Sequence, residues 1–363
     1  MSTDKYKELP AFHFSKTILS RYSKKNPKCV IFGNFGAMNL GDEAILAGQI
    51  QELRKIPNIG ITVAARFPEE VKRLHHVNAM SMYNFHAIRK SIKKSDFVIV
   101  GGGGLINKVE RSIFGFLYQL YMLFTFFFLP RFYKKKLYVL GVGIYDNANP
   151  FIVNIVVPLL RGASIITVRD HHSFDFLKSK QIHAAIYKDN SFLMNLLPVK
   201  EVLQDPFVKE HYRSERWQIG ISLVKPVSGA EERHLVREMA KFVVSNAKKS
   251  DFWFFPADSN PSYETDSKIM KKVLMEAEKH TKDPIVMYNL PTTYTPQLFF
   301  SAIKLMHGMI SMRLHTSIFA YRCEVPFAGI SYDEKCSSFI EAIGKKPLRL
   351  KNFKSEDLNK SIL

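Results

Sequence analysis

Cysteine is scarce in this chain. Cys29, Cys323 and Cys336 are the whole complement of 363 residues, no two stand in Cys-x-x-Cys spacing, and three cannot all pair. That excludes a disulfide framework and a cysteine zinc site, and it predicts buried or half-buried thiols in a reducing compartment. Histidines 75 and 76, and 171 and 172, form sequence pairs, but none has the i, i+4 spacing with a carboxylate that a helical metal site uses, so no metal is assigned. Acidic residues are also few: 33 Asp and Glu stand against 52 Lys and Arg, a formal net charge of +19. Nucleic acid, an anionic membrane surface and a phosphorylated substrate would each answer that charge. Zinc-finger spacing, an aromatic ribonucleoprotein signature and an arginine-rich helix are all missing, which counts against nucleic acid.

Long hydrophobic runs are nearly absent as well. The first 28 residues carry Lys5, Lys7, Lys16, Arg21, Lys24, Lys25 and Lys28 without an apolar stretch that ends in small residues, so no signal peptide is expected and the cytoplasm is the expected location. Residues 113–129 form one apolar run, which leads into Pro130, Arg131 and Lys134 to Lys136. It is borderline for a span, which wants about 20 apolar residues, and it falls between two strands of one predicted sheet. It reads either as a helix packed on that sheet or as one that also dips its apolar face into the inner surface of the cell membrane, with lysines at anionic headgroups.

What remains is an alternation of short apolar runs with helical ones. CVIFGNFG, a helix over about 42–54, ITVAARF, a helix near 68–75 and DFVIVGGGGLI read as βαβαβ, and LYVLGVGI, SIITVRD and AAIYKD continue the series. Residues 196–217, with two prolines and mixed charge, read as a connection between domains. WQIGISLV, DFWFFPAD, PIVMYNL, GMIS and VPFAGISY then repeat the pattern. The predicted fold is α/β: a basic extension over 1–27, a Rossmann-like domain over 28–200 and a second over 213–363, facing each other across a cleft. No internal repeat is evident.

Three places could carry chemistry. Gly33 to Gly36, followed by Asn39, Gly41, Asp42 and Glu43, is a strand, a glycine loop and a helix start, an arrangement that brings backbone N–H groups to an anion or a sugar hydroxyl. Asp42 and Glu43 are candidate bases there, or first-turn carboxylates that favour the helix dipole. Gly101, Gly102, Gly103 and Gly104 follow a strand and remove every Cβ, which predicts a close approach at that point. Arg313 and His315 follow the strand GMIS, and Lys335 follows VPFAGIS; neighbouring parallel strands would set this guanidinium, imidazole and ammonium on one rim, suited to a small anion bearing carboxylate and phosphate. Arg169, at the end of SIITVRD, could reach the same anion or pair with Asp170.

With GNFGAMNLGDEAIL, VIVGGGGLI, GVGI, ITVRDHHSFDFL, GISLV, MRLHTSIFA and VPFAGISYDEKCSSFIEAIG in place, the chain resembles the polysaccharide pyruvyl transferase family over about 30–344. The resemblance implies a GT-B-like pair of domains, with the acceptor on the first and the donor on the second. It implies phosphoenolpyruvate as co-substrate, no cofactor, and a glycan acceptor, polymeric or lipid-linked, that becomes a cyclic ketal. It also implies that Arg169, Arg313 and His315 hold or act on the donor, with Lys335 near its phosphate. Gly36, Asn39, Gly41 and Gly102 to Gly104 would then line the acceptor or phosphate loops. After the glycine run the chain has Ile106, Asn107 and Lys108 where many relatives have a polar stretch with an acidic residue. A nucleotide-sugar glycosyltransferase on the same scaffold is the alternative.

Overall fold

The computed structural model describes residues 4–20, 26–106, 112–144, 149–258 and 266–362. Arg21, Lys24, Lys25, Asn107 and Lys108 lie outside them. The described strands are β1 (Lys28–Phe32), β2 (Gly60–Ala65), β3 (Asn78–Ser81), β4 (Phe97–Gly101), β5 (Gly104–Ile106), β6 (Lys136–Ile144), β7 (Ile165–Val168) and β8 (Ala185–Ile186), then β9 (Trp217–Ser222), β10 (Ser250–Phe254), β11 (Met287–Asn289), β12 (Gly308–Ser311), β13 (Phe327–Ser331) and β14 (Leu348–Arg349). They form two sheets, ordered β3-β2-β1-β4-β6-β7-β8 with β5 on β6, and β11-β10-β9-β12-β13-β14. Every ladder between these strands is parallel.

Both sheets are doubly wound: the chain steps outward from β1 or β9, then returns past it to β4 or β12 and continues the other way. Such a reversal opens a crevice at the carboxyl ends of the two central strands, where ligands bind in this class of sheet. Parallel strands buried on both faces need continuous apolar runs, and FVIVG of β4 and FAGIS of β13 are buried at every position. Val30, Phe32, Val98 and Val139 pack one face of the first sheet, and Ile31, Ile45, Ile99 and Leu140 the other. Ile219, Phe252, Ile310 and Ile330 centre the second core. β3 and the helix Phe85–Lys94 escaped the sequence reading, because Asn-Ala-Met-Ser is a half-exposed edge strand with little apolar signal.

The chain divides into two compact units. A first-sheet unit comprises Leu9–Met38 and Asp42–Asn195; a second-sheet unit comprises Met1–Glu8, Asn39–Gly41 and Leu196–Leu363. Residues 196–217, expected as a connection, fold onto the second sheet: Ser301 Oγ accepts from Leu197 N–H at 2.8 Å and Lys304 Nζ donates to Leu197 O at 2.7 Å.

The described residues of the expected basic extension are anchored by buried aromatics, Tyr6 and Phe14. Tyr6 stands edge-on to Tyr321 and Phe339 in the second-sheet unit, with ring centroids 6.1 and 5.1 Å apart. In the first-sheet unit, Phe14 and Ile18 of the helix Phe14–Leu19 are fully buried. Glu52 fastens that helix, accepting from Ser15 Oγ at 2.5 Å and pairing with Lys55 and His13. Burial by itself would raise the Glu52 carboxyl, but hydrogen bonds from Lys55, Ser15 and His13 outweigh it and hold the group below its ordinary value. A carboxylate depressed in the folded state stabilises above its unfolded pKa, and the contribution is lost as pH falls through the folded one. Glu52→Gln should therefore cost about 1 to 2 kcal/mol at neutral pH. In urea unfolding across pH, the gap from the unsubstituted protein should close on acidification; a gap constant down to acid pH would remove Glu52 as the fastening group.

Candidate active site

The second-sheet unit carries two copies of one turn. Ile310-Ser311-Met312-Arg313-Leu314-His315-Thr316-Ser317 and Ile330-Ser331-Tyr332-Asp333-Glu334-Lys335-Cys336-Ser337 lie twenty positions apart. In each, the serine that ends the strand donates to the carbonyl of the residue two further on, Arg313 at 2.9 Å and Asp333 at 3.0 Å. The later serine reaches back to the first, Ser317 to Ser311 at 2.9 Å and Ser337 to Ser331 at 2.5 Å. Buried hydroxyls thus fix the exit from β12 and from β13, and a nine-residue helix starts at each, Leu314–Arg322 and Glu334–Ala342. His315 and Lys335 occupy the same second helical position. The strands pair directly, Ser311 opposite Gly329, and Cys336 Sγ lies 3.4 Å from Met312 O. The turn that carries Arg313 and His315 and the turn that carries Lys335 thus leave two strands that pair directly, and Arg313 follows β12 at the reversal point of its sheet. The repeat was visible in the sequence as Ile-Ser-x5-Ser and went unread.

Arg313 is held by a carboxylate that the sequence reading did not single out. Its Nη2 donates to Asp266 Oδ1 at 2.5 Å and its Nε to Asp266 Oδ2 at 3.2 Å, while Asp258 Oδ2 lies 3.6 Å from Nη2. Burial alone would lower the guanidinium, but Asp266 overrides it and the group sits above its ordinary value, fully charged. Asp266, 1% exposed, is raised by burial, which Arg313 offsets only in part. Lys335 pairs more loosely, 3.5 Å from the capping Asp333.

The end of the first glycine loop also belongs here. Leu40 N–H donates to Ala257 O at 2.9 Å, and Asn39 bridges to Asp258. Asn39 Oδ1 caps the following helix, Leu40–Leu53, by accepting from Gly41 N–H at 3.0 Å. A Cβ on Gly41 would lie 2.1 Å from His315 Nδ1, so this glycine exists to let backbone rest on the imidazole. Asn39 and Gly41 were expected on the acceptor domain; they pack instead with the second-sheet unit, because loop backbone pairs with the 257–258 segment.

In the first-sheet unit the rest of that loop is closed from within. Gly36 takes φ +66°, and its N–H donates to Glu43 Oε1 at 2.7 Å; the other Glu43 oxygen meets His75 Nε2 at 2.7 Å. Glu43 is 1% exposed, so its carboxylate fastens the loop and does not face solvent. Asp42 is half-buried and accepts from Asn34 Nδ2 at 2.8 Å. The four-glycine run has an internal explanation too. Gly102 and Gly103 have φ of +87° and +76°. A Cβ on Gly101 would strike Gln49 at 2.4 Å, one on Gly102 would strike Ile45 at 2.5 Å, and one on Gly103 would crowd Asp42 at 3.2 Å. Gly104 pairs with Gly143 in β5. The close approach expected of a ligand is made by the helix Leu40–Leu53 itself. Arg169 is buried against Asp189, 3.0 Å from Nη1, with Asp170 4.0 Å from Nε.

The three thiols are free, two buried and one half-buried. Burial raises Cys29 and Cys336 well above the ordinary thiol range and pushes Cys323 up to about 11, which leaves none as a nucleophile at neutral pH. Beside the second turn lies a cavity of about 540 Å³, lined by Ser331, Ser337 and Ser338 and by more carboxylates (Glu231, Asp333, Glu334, Glu341) than cations (Arg349, Lys351).

Among solved structures, UDP-GlcNAc 2-epimerase from Methanocaldococcus jannaschii is similar at 13% identity and a TM-score of 0.60, over 93% of this chain and 91% of that one. UDP-GlcNAc 2-epimerase from Neisseria meningitidis, bound to UDP-GlcNAc, gives 13% identity and a TM-score of 0.58 over 92% and 90%. ADP-heptose LPS heptosyltransferase II from E. coli gives 13% and 0.50 over 93% and 98%. These likenesses establish the α/β fold of GT-B glycosyltransferases and epimerases. A search of curated proteins returned no match. The sequence pattern of the polysaccharide pyruvyl transferase family matches residues 39–334, a span that takes in Asn39, Asp42, Arg169, Arg313 and His315 and stops one residue short of Lys335. The chain belongs to the polysaccharide pyruvyl transferase family.

Proposed function

We propose that the protein transfers the pyruvyl group of phosphoenolpyruvate to two hydroxyls of one sugar in a surface polysaccharide or its lipid-linked unit, forming a cyclic ketal and releasing inorganic phosphate. The observation that carries this reading is the paired turn: two helix N-termini side by side, bearing Arg313, His315 and Lys335. Helix N-termini and a guanidinium suit a small, highly charged anion. Asp266 holds Nε and Nη2, which leaves the Nη1 side of the fork for the donor carboxylate.

In the chemistry proposed, His315 delivers a proton to C3 of the enol, and the first sugar hydroxyl bonds to C2 as its own proton passes to a base. The bond from C2 to the phosphate oxygen then breaks, with Lys335 matching the departing charge, and the second hydroxyl closes the ring as its proton leaves with phosphate. Glu43 is engaged on both oxygens, so its carboxylate is not assigned as that base. Arg169 is engaged by Asp189 within the first-sheet unit. The reaction is placed on the cytoplasmic side, where phosphoenolpyruvate is available.

Calorimetric titration with phosphoenolpyruvate, UDP-GlcNAc and GDP-mannose tests the donor. Saturable binding of phosphoenolpyruvate alone is the expected result. Saturation by a nucleotide sugar without phosphoenolpyruvate binding would overturn it and move the chain to glycosyl transfer.

A further inference from the structure

Residues 113–132 form a continuous helical segment in three parts: an α-helix over Ile113–Leu123, a π-helical turn over Phe124–Phe128 and an α-helical end over Leu129–Phe132. By length and composition it could cross a membrane, but its inner side is part of the first-sheet core, where Leu123, Phe126, Phe127 and Leu129 are buried. Removing those side chains would dismantle the core, so the segment stays on the sheet.

Its outer side is the unusual feature. Phe114, Leu117, Phe124, Phe128 and Phe132 are exposed by 81%, 53%, 40%, 44% and 65%. Spacings of three, seven, four and four residues keep them on one side, and the last three rings stack in a row with centroids 5.2 and 6.2 Å apart. The wider π turn, about 4.4 residues round, brings Phe124 and Phe128 into that row. An apolar ridge of this size in contact with water implies an occupant.

Charge around the ridge selects the occupant. Among the described residues of 85–136 there are eight Lys and Arg against one acidic residue, Asp96. The helix Phe85–Lys94 runs beside the ridge, with Phe85 6.1 Å from Phe124; at the far end Arg89 donates to Tyr133 at 2.8 Å and Lys93 lies 5.2 Å from the Tyr133 ring. Tyr133 in turn packs edge-on to Phe132 at 5.2 Å. A second copy of the chain, docked ridge to ridge, would bring two such cationic rims together and pay their repulsion. An anionic lipid surface accepts phenylalanines among its acyl chains and lysines at its phosphates. We propose that this ridge seats the protein on an anionic membrane, with the helix lying in the plane of the interface and the first sheet remaining in water.

The test uses the full chain and vesicles of phosphatidylcholine, with or without a third of phosphatidylglycerol, in a sedimentation assay at low and high salt. Neither donor nor acceptor is needed, so the result is independent of the pyruvyl transfer reading. The protein should pellet with the anionic vesicles at low salt and be released by salt. The Phe128→Ser, Phe132→Ser pair should weaken binding about tenfold or more, and Lys90→Glu with Lys94→Glu should do the same. Unchanged thermal unfolding would show that the variants fold. Failure to pellet with anionic vesicles at low salt would overturn the proposal, as would pelleting that ignores the phenylalanine pair. A dimer in light scattering that the phenylalanine pair dissociates would assign the ridge to a second copy instead.

Discussion

Arg313→Ala is expected to abolish phosphoenolpyruvate binding and, at the same time, to destabilise the second-sheet unit. The second effect follows from Asp266, which is 1% exposed and takes two hydrogen bonds from this guanidinium. Removing one partner of a buried pair strands the other, at a cost of about 3 to 5 kcal/mol. Because destabilisation by itself lowers binding, Arg313→Lys separates the two effects. The ammonium keeps a charge opposite Asp266 and should restore much of the stability, yet one ammonium cannot hold Asp266 and also reach the donor as Nη1 does in the proposed site, so donor KM should still rise about tenfold or more. Urea unfolding and donor titration on both variants read the two quantities independently. An Arg313→Lys enzyme with unaltered donor KM would take Arg313 out of the donor site and leave it as the partner of Asp266 alone.

Gly41→Ala should be nearly as damaging for a different reason. The new methyl would sit 2.1 Å from His315 Nδ1, and with Leu40 hydrogen-bonded to Ala257 the backbone cannot retreat freely, so the imidazole must turn away. With His315 in its proposed role, that displacement should cost on the order of a hundredfold in turnover. Strain is relieved if the ring is removed, so Gly41→Ala combined with His315→Ala should unfold no more easily than His315→Ala alone, while activity stays at the His315→Ala level. If Gly41→Ala turned over like the unsubstituted protein, then either the contact with His315 or the role of His315 would have to be given up.

Much of this site was legible because strand-end residues announce themselves. Parallel strands put consecutive loops at one edge of a sheet, so MRLH after GMIS and YDEK after FAGIS could be placed together without coordinates. The two serines in each turn carry the same message, since they tie the residues at N-cap positions 313 and 333 in one conformation. Asp266 was illegible. It lies 47 residues before Arg313, at the start of another helix, and no spacing rule relates the two. Glu43 was misjudged for the complementary reason: a first-turn carboxylate looks solvent-facing in one dimension, and only the folded loop shows that Gly36 and His75 occupy it. The four glycines misled in the same way, since a missing Cβ records that something comes near but not whether it is a ligand or the chain's own helix.

By itself the sequence determined the fold class, the two-part series of strands and the family, because apolar periodicity, glycine position and short motifs are local properties written in consecutive residues. The tertiary structure alone decided which unit owns residues 39–41, where the N-terminal helices dock, what holds Arg313, and which side of the phenylalanine-rich helix meets water. Each of those depends on a partner far away in the chain. The energy of such a contact is set by the closeness and burial that folding creates, and a linear pattern does not contain it.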